Sequence, residues 1–188
     1  MNLFFRAAIL PLVAISGLSG CTKPLDPSGR SRVEVPETSA AVILPLGSPE
    51  RITVIETRYA NALVHSIPLR SRAVTPGENR VVVTLFGVRS GAQSRVSTSV
   101  KVTEDILADA RAAFPSVTAW DLSYGANARG PFGIASGKGK AGETCSHAWQ
   151  HVEGSFRVEA DICDADPHAA RSLMRGIILN TRPYQARF

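Results

Sequence analysis

Residues 144–163 read TCSHAWQHVEGSFRVEADIC, and the alternation within them sets the expected fold. Apolar and polar residues alternate on both sides of Glu153-Gly154, the pattern of two strands joined as a β-hairpin. Parity then matters, because successive side chains of a strand point to opposite faces. A three-residue loop sets Cys145 directly opposite Cys163, whereas a two-residue loop sends the two thiols to opposite faces. In the first register Val152, Phe156, Val158, Ala160 and Ile162 share the core face. Cys145, His147, Trp149, His151, Arg157, Glu159 and Asp161 share the other, which its charges mark as solvated.

Outward from this pair, residues 80–88 (RVVVTLFGV) are a near-continuous β-branched and aromatic run, typical of a central strand buried on both faces. Residues 41–44 and 62–69 read as further strands, and residues 51–58 (RITVIETR) as a strand whose alternation slips, as at a bulge. Residues 117–124 (VTAWDLSY) are expected as another. The period then changes in two places. Thr103 caps a helix with Glu104 and Asp105 in its first turn, Ile106, Leu107, Ala110, Ala113 and Phe114 along one face, and Pro115 as its stop. Asp166-Pro167 opens a second helix with Ala169, Ala170, Leu173, Met174, Ile177 and Ile178 as its stripe. The expected fold is α+β: a mostly antiparallel sheet covered on one face by two amphipathic helices, with a disulfide-closed C-terminal β-hairpin.

The first residues set the compartment. Arg6, an apolar run from Ala7 to Ile15, and Leu18-Ser19-Gly20-Cys21 together form a lipoprotein signal peptide, cleaved before an acylated Cys21. The run is shorter than the ~20 residues that span a bilayer. Acyl chains contribute ~0.8 kcal/mol per buried methylene, so several on one cysteine anchor a protein firmly. Thr22 stands where an aspartate would signal retention at the inner membrane, so the expected location is the outer membrane, on its periplasmic side. Residues 1–20 are thus the signal, 21–40 the lipidated cysteine and a Pro-rich, flexible tether, and 41–188 one domain. Outside the cytoplasm Cys145 and Cys163 are expected to be bonded.

Chemistry-bearing motifs are sparse. His147 and His151 with Cys145, Cys163, Glu159 and Asp161 resemble a metal set, but on a strand the two histidines stand ~13 Å apart. Surface histidines paired to Asp161 and backbone are expected instead, with no metal and no other cofactor. The Gly133–Gly139 run lacks the spacing of a phosphate loop and reads as a flexible connection within the Gly-rich residues 125–142. No G-x-S-x-G elbow occurs, and no catalytic residue is assigned. The mild formal charge of +5 is spread along the chain without a basic, aromatic-interleaved run, which argues against a nucleic-acid partner. Trp120, Trp149 and Tyr124 suit either core packing or a sugar-stacking platform.

Arg129-Gly130-Pro131-Phe132-Gly133-Ile134-Ala135, Gly142-Glu143-Thr144-Cys145 and Ala148-Trp149-Gln150 resemble the cellulose biosynthesis protein BcsN family, as do Arg58-Tyr59-Ala60-Asn61-Ala62 and Thr75-Pro76-Gly77-Glu78-Asn79. Members are small alphaproteobacterial lipoproteins encoded beside cellulose synthase. The resemblance implies a non-catalytic periplasmic accessory factor in making or exporting cellulose. Its partners would be the membrane, through the lipid, and proteins of the synthase and export machinery, with polysaccharide a further candidate. A pilus-assembly lipoprotein and a periplasmic glycan hydrolase using Glu159 and Asp161 are the alternatives. The expected recognition surface combines Arg129 and Phe132 of the Gly-rich segment with Trp149 on the exposed hairpin face. Cys21→Ser is expected to release the protein from membranes or block its maturation, read by fractionation and lipid labelling.

Overall fold

The computed structural model describes residues 32–180 and 184, apart from 72, 76, 90 and 153–155. The signal peptide, Cys21 and the tip Glu153-Gly154 lie outside the described residues. Eight strands form one sheet: β1 (Arg32–Val35), β3 (Val54–Tyr59), β4 (Ala62–Pro68), β5 (Arg80–Phe86), β6 (Asp121–Asn127), β7 (Gly130–Lys138), β8 (Thr144–Val152) and β9 (Phe156–Asp164). Their spatial order is β1-β3-β4-β5-β9-β8-β7-β6, and every neighbouring pair is antiparallel. β2 (Val42–Ile43) and β10 (Ile178–Leu179) make a separate two-stranded ladder.

The run at residues 80–86 is the inner strand its composition demands, with β4 on one side and β9 on the other. Val81, Val83 and Leu85 point to one face and Thr84 and Phe86 to the other, all of them buried. The slip in residues 51–58 is a bulge. Arg51 bridges Leu69, yet Ile55 faces Ser66, so one strand carries one residue more than its partner.

β8 and β9 pair with Cys145 opposite Cys163, and the two are disulfide-bonded. From that register the faces separate. Ala148, Val158, Ala160 and Ile162 join Val81, Val83, Leu85, Phe132 and Ile134 in the main core, closed over by Ala170, Leu173 and Met174 of α2 (Ala169–Gly176). On the opposite face Cys145 and Cys163 meet Phe114 and Val117, beside α1 (Thr103–Ala113), which buries Ile106 and Ala110. The expectation that both helices cover one face is therefore corrected. The charged residues of the second face are interrupted by enough small and apolar surface, the disulfide included, to be buried under α1.

Three further expectations change. The expected tether extends to residue 40, but Arg32–Val35 already pairs with β3, and Glu34 accepts a hydrogen bond from Thr53 Oγ1 at 2.7 Å. An edge strand needs partners on one side only, so Arg-Val-Glu-Val joins the sheet while remaining largely exposed. The Gly-rich stretch is no flexible connection but most of the β6–β7 ladder. α2 ends at Gly176, where a Cβ would press on Pro45, and Ile178 leaves the helical stripe to pair with Ile43.

Two buried polar clamps hold loops to this frame. The Glu143 carboxylate accepts hydrogen bonds from Thr75 Oγ1, from Thr75 N at 2.7 Å and from Ala141 N at 2.7 Å. The Thr75 hydroxyl is the largest of the influences that lower its pKa to about 2. Nearby, Gly77 has φ +154, and a Cβ there would collide with the Phe114 ring. On the α2 face His65, fully buried, accepts a hydrogen bond from Ala41 N at Nδ1, 2.9 Å away, while Nε2 lies 3.2 Å from both Glu56 Oε2 and the Tyr184 hydroxyl. Tyr184 in turn donates to Ser39 O. Burial holds the His65 pKa below its usual value against the opposing pull of Glu56. A neutral His65 thus ties Ala41 and Tyr184 to β4.

Removing the disulfide, which spans a sequence separation of 18, tests the frame. The Cys145→Ala/Cys163→Ala variant should lose about 3 kcal/mol in denaturant unfolding. An unchanged midpoint and slope would show that the bond contributes nothing.

Candidate functional site

Antiparallel pairing lines up side chains in rows across the face under α1. One row runs Arg80, Asp161, His147, Ala135, Leu122 from β5 to β6. The next runs Val82, Glu159, Trp149, Gly133, Tyr124. Thr84, Arg157 and His151 begin a third. The first row places a cation, a carboxylate and an imidazole side by side. Arg80 Nε donates to Asp161 Oδ2 at 2.8 Å, and His147 Nδ1 lies 2.7 Å from Asp161 Oδ1. A carboxylate only accepts, so the imidazole proton is on Nδ1, and in the neutral ring Nε2 carries the lone pair. That Nε2 is buried and has no hydrogen-bond partner among the described residues.

α1 and the residue preceding its cap supply what the sheet lacks. Lys101 Nζ donates to Asp109 Oδ2 at 2.5 Å and to Glu159 Oε1. Burial works against the ammonium charge, but the two carboxylates outweigh it and hold the Lys101 pKa above its ordinary value. One ligand atom each from Asp109, His147 and Glu159 lie within 4.8 Å of one another. Arg157 Nε is 3.3 Å from Glu159 Oε2, and its guanidinium sits 5.8 Å from the centre of the Phe86 ring.

The second row explains the glycines. Gly133 faces Trp149, and a Cβ at Gly133 would fall inside the indole. Trp149 stacks on His147 with centroids 6.4 Å apart and meets Tyr124 edge-on at 6.3 Å. Tyr124 itself is 65% exposed, so this row opens to solvent at the sheet's β6 edge.

The expected recognition surface does not form as one patch. Phe132 is buried on the α2 face against Gly125, Trp149 is half-buried on the α1 face, and Arg129 is exposed at the turn between β6 and β7. Strand parity separates them, because Phe132 and Gly133 are neighbours and only Gly133 shares Trp149's side. His147 pairs with Asp161 as expected but is a buried residue, not a surface one. Its face is not the solvated one its charges suggest, since Asp161 is 3% exposed under the approach of α1. His151 does not join His147; its ring lies 6.0 Å from Phe86. Asp109 and Lys101 were missed. Asp109 reads as a polar position of the helix and Lys101 as a polar residue ahead of it, and nothing local says which strand that helix will meet.

These features define a two-faced α+β module: an eight-stranded antiparallel sheet with one helix on each side and a charged, histidine-centred cleft beneath α1. A family model described as cellulose biosynthesis protein BcsN matches residues 41–165, which span every strand and side chain of the cleft. The chain belongs to the cellulose biosynthesis protein BcsN family. Comparison with curated proteins and with solved structures gives no match.

Gly133→Ala forces Trp149 off the sheet and should cost about 1–3 kcal/mol with a shift in tryptophan fluorescence. Gly91→Ala, where an added Cβ meets nothing within 4 Å, should be near-neutral. Equal stability of the two variants in denaturant titrations would contradict the packing described.

Proposed function

We propose that this protein is a non-catalytic accessory factor of cellulose biosynthesis, carried as a lipoprotein on the periplasmic side of the outer membrane. It acts by binding protein components of the synthase and export machinery. The observation that carries this reading is the family match over residues 41–165, joined to the Leu18-Ser19-Gly20-Cys21 lipobox ahead of it. The charge arrangement supports a binding role. Glu159 and Asp161, the carboxylates a glycan hydrolase would draw on, are engaged by Lys101 and by Arg80 and His147. The solvent-facing end of the Tyr124–Trp149 row is the recognition surface this reading favours, with polysaccharide as a second ligand class.

The test is a clean gene deletion scored by cellulose dye binding beside an assay for pili. Loss of extracellular cellulose with pili intact is expected, restored by the wild-type gene but not by Trp149→Ala at normal protein level. Intact cellulose with loss of pili would replace this reading by a pilus-assembly role.

A further inference from the structure

The cleft beneath α1 contains a donor set that neither the family nor the accessory role accounts for. We propose that it binds a single divalent transition-metal ion of the zinc class. The protein ligands are His147 Nε2, an Asp109 carboxylate oxygen and Glu159 Oε1, and Lys101 is the internal cation that the metal displaces. Four observations converge on it.

First, one ligand atom each from Asp109, His147 and Glu159 already lie within 4.8 Å of one another, close enough to share one ion after small side-chain adjustments. Second, His147 is 3% exposed and its Nε2 has no hydrogen-bond partner among the described residues. A buried lone pair without a donor is costly, and a metal ion is one of the few groups that satisfies it. Third, the other ring nitrogen is engaged by Asp161, which Arg80 holds in turn. Carboxylate orientation of the far nitrogen is the usual support of a metal-bound histidine, because it fixes the tautomer and raises the basicity of the ligating atom. Fourth, the space between Asp109 and Glu159 is already filled by positive charge, the Lys101 ammonium. Lys101 lies in the irregular segment ahead of α1, and its side chain remains 25% exposed, so it has a path into water.

The exchange is a simple one. The ammonium leaves with its protons and takes up water, and the metal accepts lone pairs from one imidazole and two carboxylates without redox change. Glu159 Oε2 keeps its contact with Arg157 throughout. One nitrogen with two oxygens suits zinc or cobalt, whereas an imidazole is a poor ligand for magnesium or calcium. Solvent on the Lys101 side supplies the remaining coordination.

Chelator-treated full-length protein, titrated with zinc chloride in a calorimeter and with cobalt(II) under visible spectroscopy, tests the site. One zinc per chain is expected, with a cobalt d–d band that zinc abolishes and no response to magnesium. His147→Ala and the near-isosteric Asp109→Asn should each weaken zinc binding about 10–100-fold. Lys101→Met should strengthen it. Thermal unfolding of each variant separates a lost ligand from a lost fold: Asp109→Asn that melts like the wild type yet fails to bind supports the site. Absence of zinc binding by the wild type overturns the proposal. So does binding that survives both ligand substitutions, or binding seen only in Lys101→Met, which would make Lys101 a fixed structural cation. None of these outcomes depends on cellulose production, so the accessory role stands or falls separately.

Discussion

Register between β8 and β9 governs which side chains of this molecule meet. With Cys145 opposite Cys163, the small and branched residues Ala148, Val158, Ala160 and Ile162 face α2, and the ionisable residues His147, Glu159 and Asp161 face α1. A slip of β9 by one residue would turn Glu159 and Asp161 into the main core and Val158, Ala160 and Ile162 out of it. The disulfide joins a directly opposed pair, so the same covalent bond that closes the chain also excludes that slip. The pairing then propagates through β5 and β7 into the rows that build the cleft.

Glycine is the second constraint, used here to let aromatic rings lie on backbone. Gly133 receives the Trp149 indole on one face, and Gly125 receives the Phe132 ring on the other. The two glycines are on adjacent strands, and the rings they accept thicken the β6–β7 end of the sheet, where few large aliphatic residues occur. Arg171 of α2 adds hydrogen bonds to Tyr124 O and Ser123 Oγ, fastening the edge strand β6 from the helix side.

Buried polar groups complete the frame and differ in kind on the two faces. Under α2, His65 is neutral, and its contacts tie the segments at Ala41 and Tyr184 to β3 and β4. Asn127 and Gln150 perform a similar task nearby, where Asn127 Nδ2 donates to Met174 O near the C-terminal end of α2. Under α1 the groups are charged and compact, and among the described residues His147 Nε2 and His151 Nδ1 are buried without a hydrogen-bond partner. Buried charges are tolerated only with compensation, and Arg80, Lys101 and Arg157 provide it against Asp109, Glu159 and Asp161.

Much of the fold was legible in local sequence. Alternation in residues 144–163 marked two strands but left the side of each thiol to the loop length, and the β-branched run at 80–88 marked an inner strand. Both signals arise from the two-residue period of extended chain, which depends on neighbours a few positions away. The second period, of Ile106, Ala110 and Phe114, identified a helix equally well, but a helical stripe says only that something apolar lies beneath it. Which face of the sheet receives the helix depends on the total surface left uncovered, a property of the assembled layers. The meeting of Asp109 and Lys101 with His147 and Glu159 therefore has no trace in any short window. The same holds for the glycines of residues 125–142, whose composition suggests a loose connection until the rings that lie on them are in place. Sequence alone marked the inner strand at residues 80–88, the two strands of residues 144–163 and the family resemblance; only tertiary packing brought residues 32–35 and 130–138 into the sheet, set Cys145 opposite Cys163, placed the helices on opposite faces and made the charges between α1 and the sheet converge.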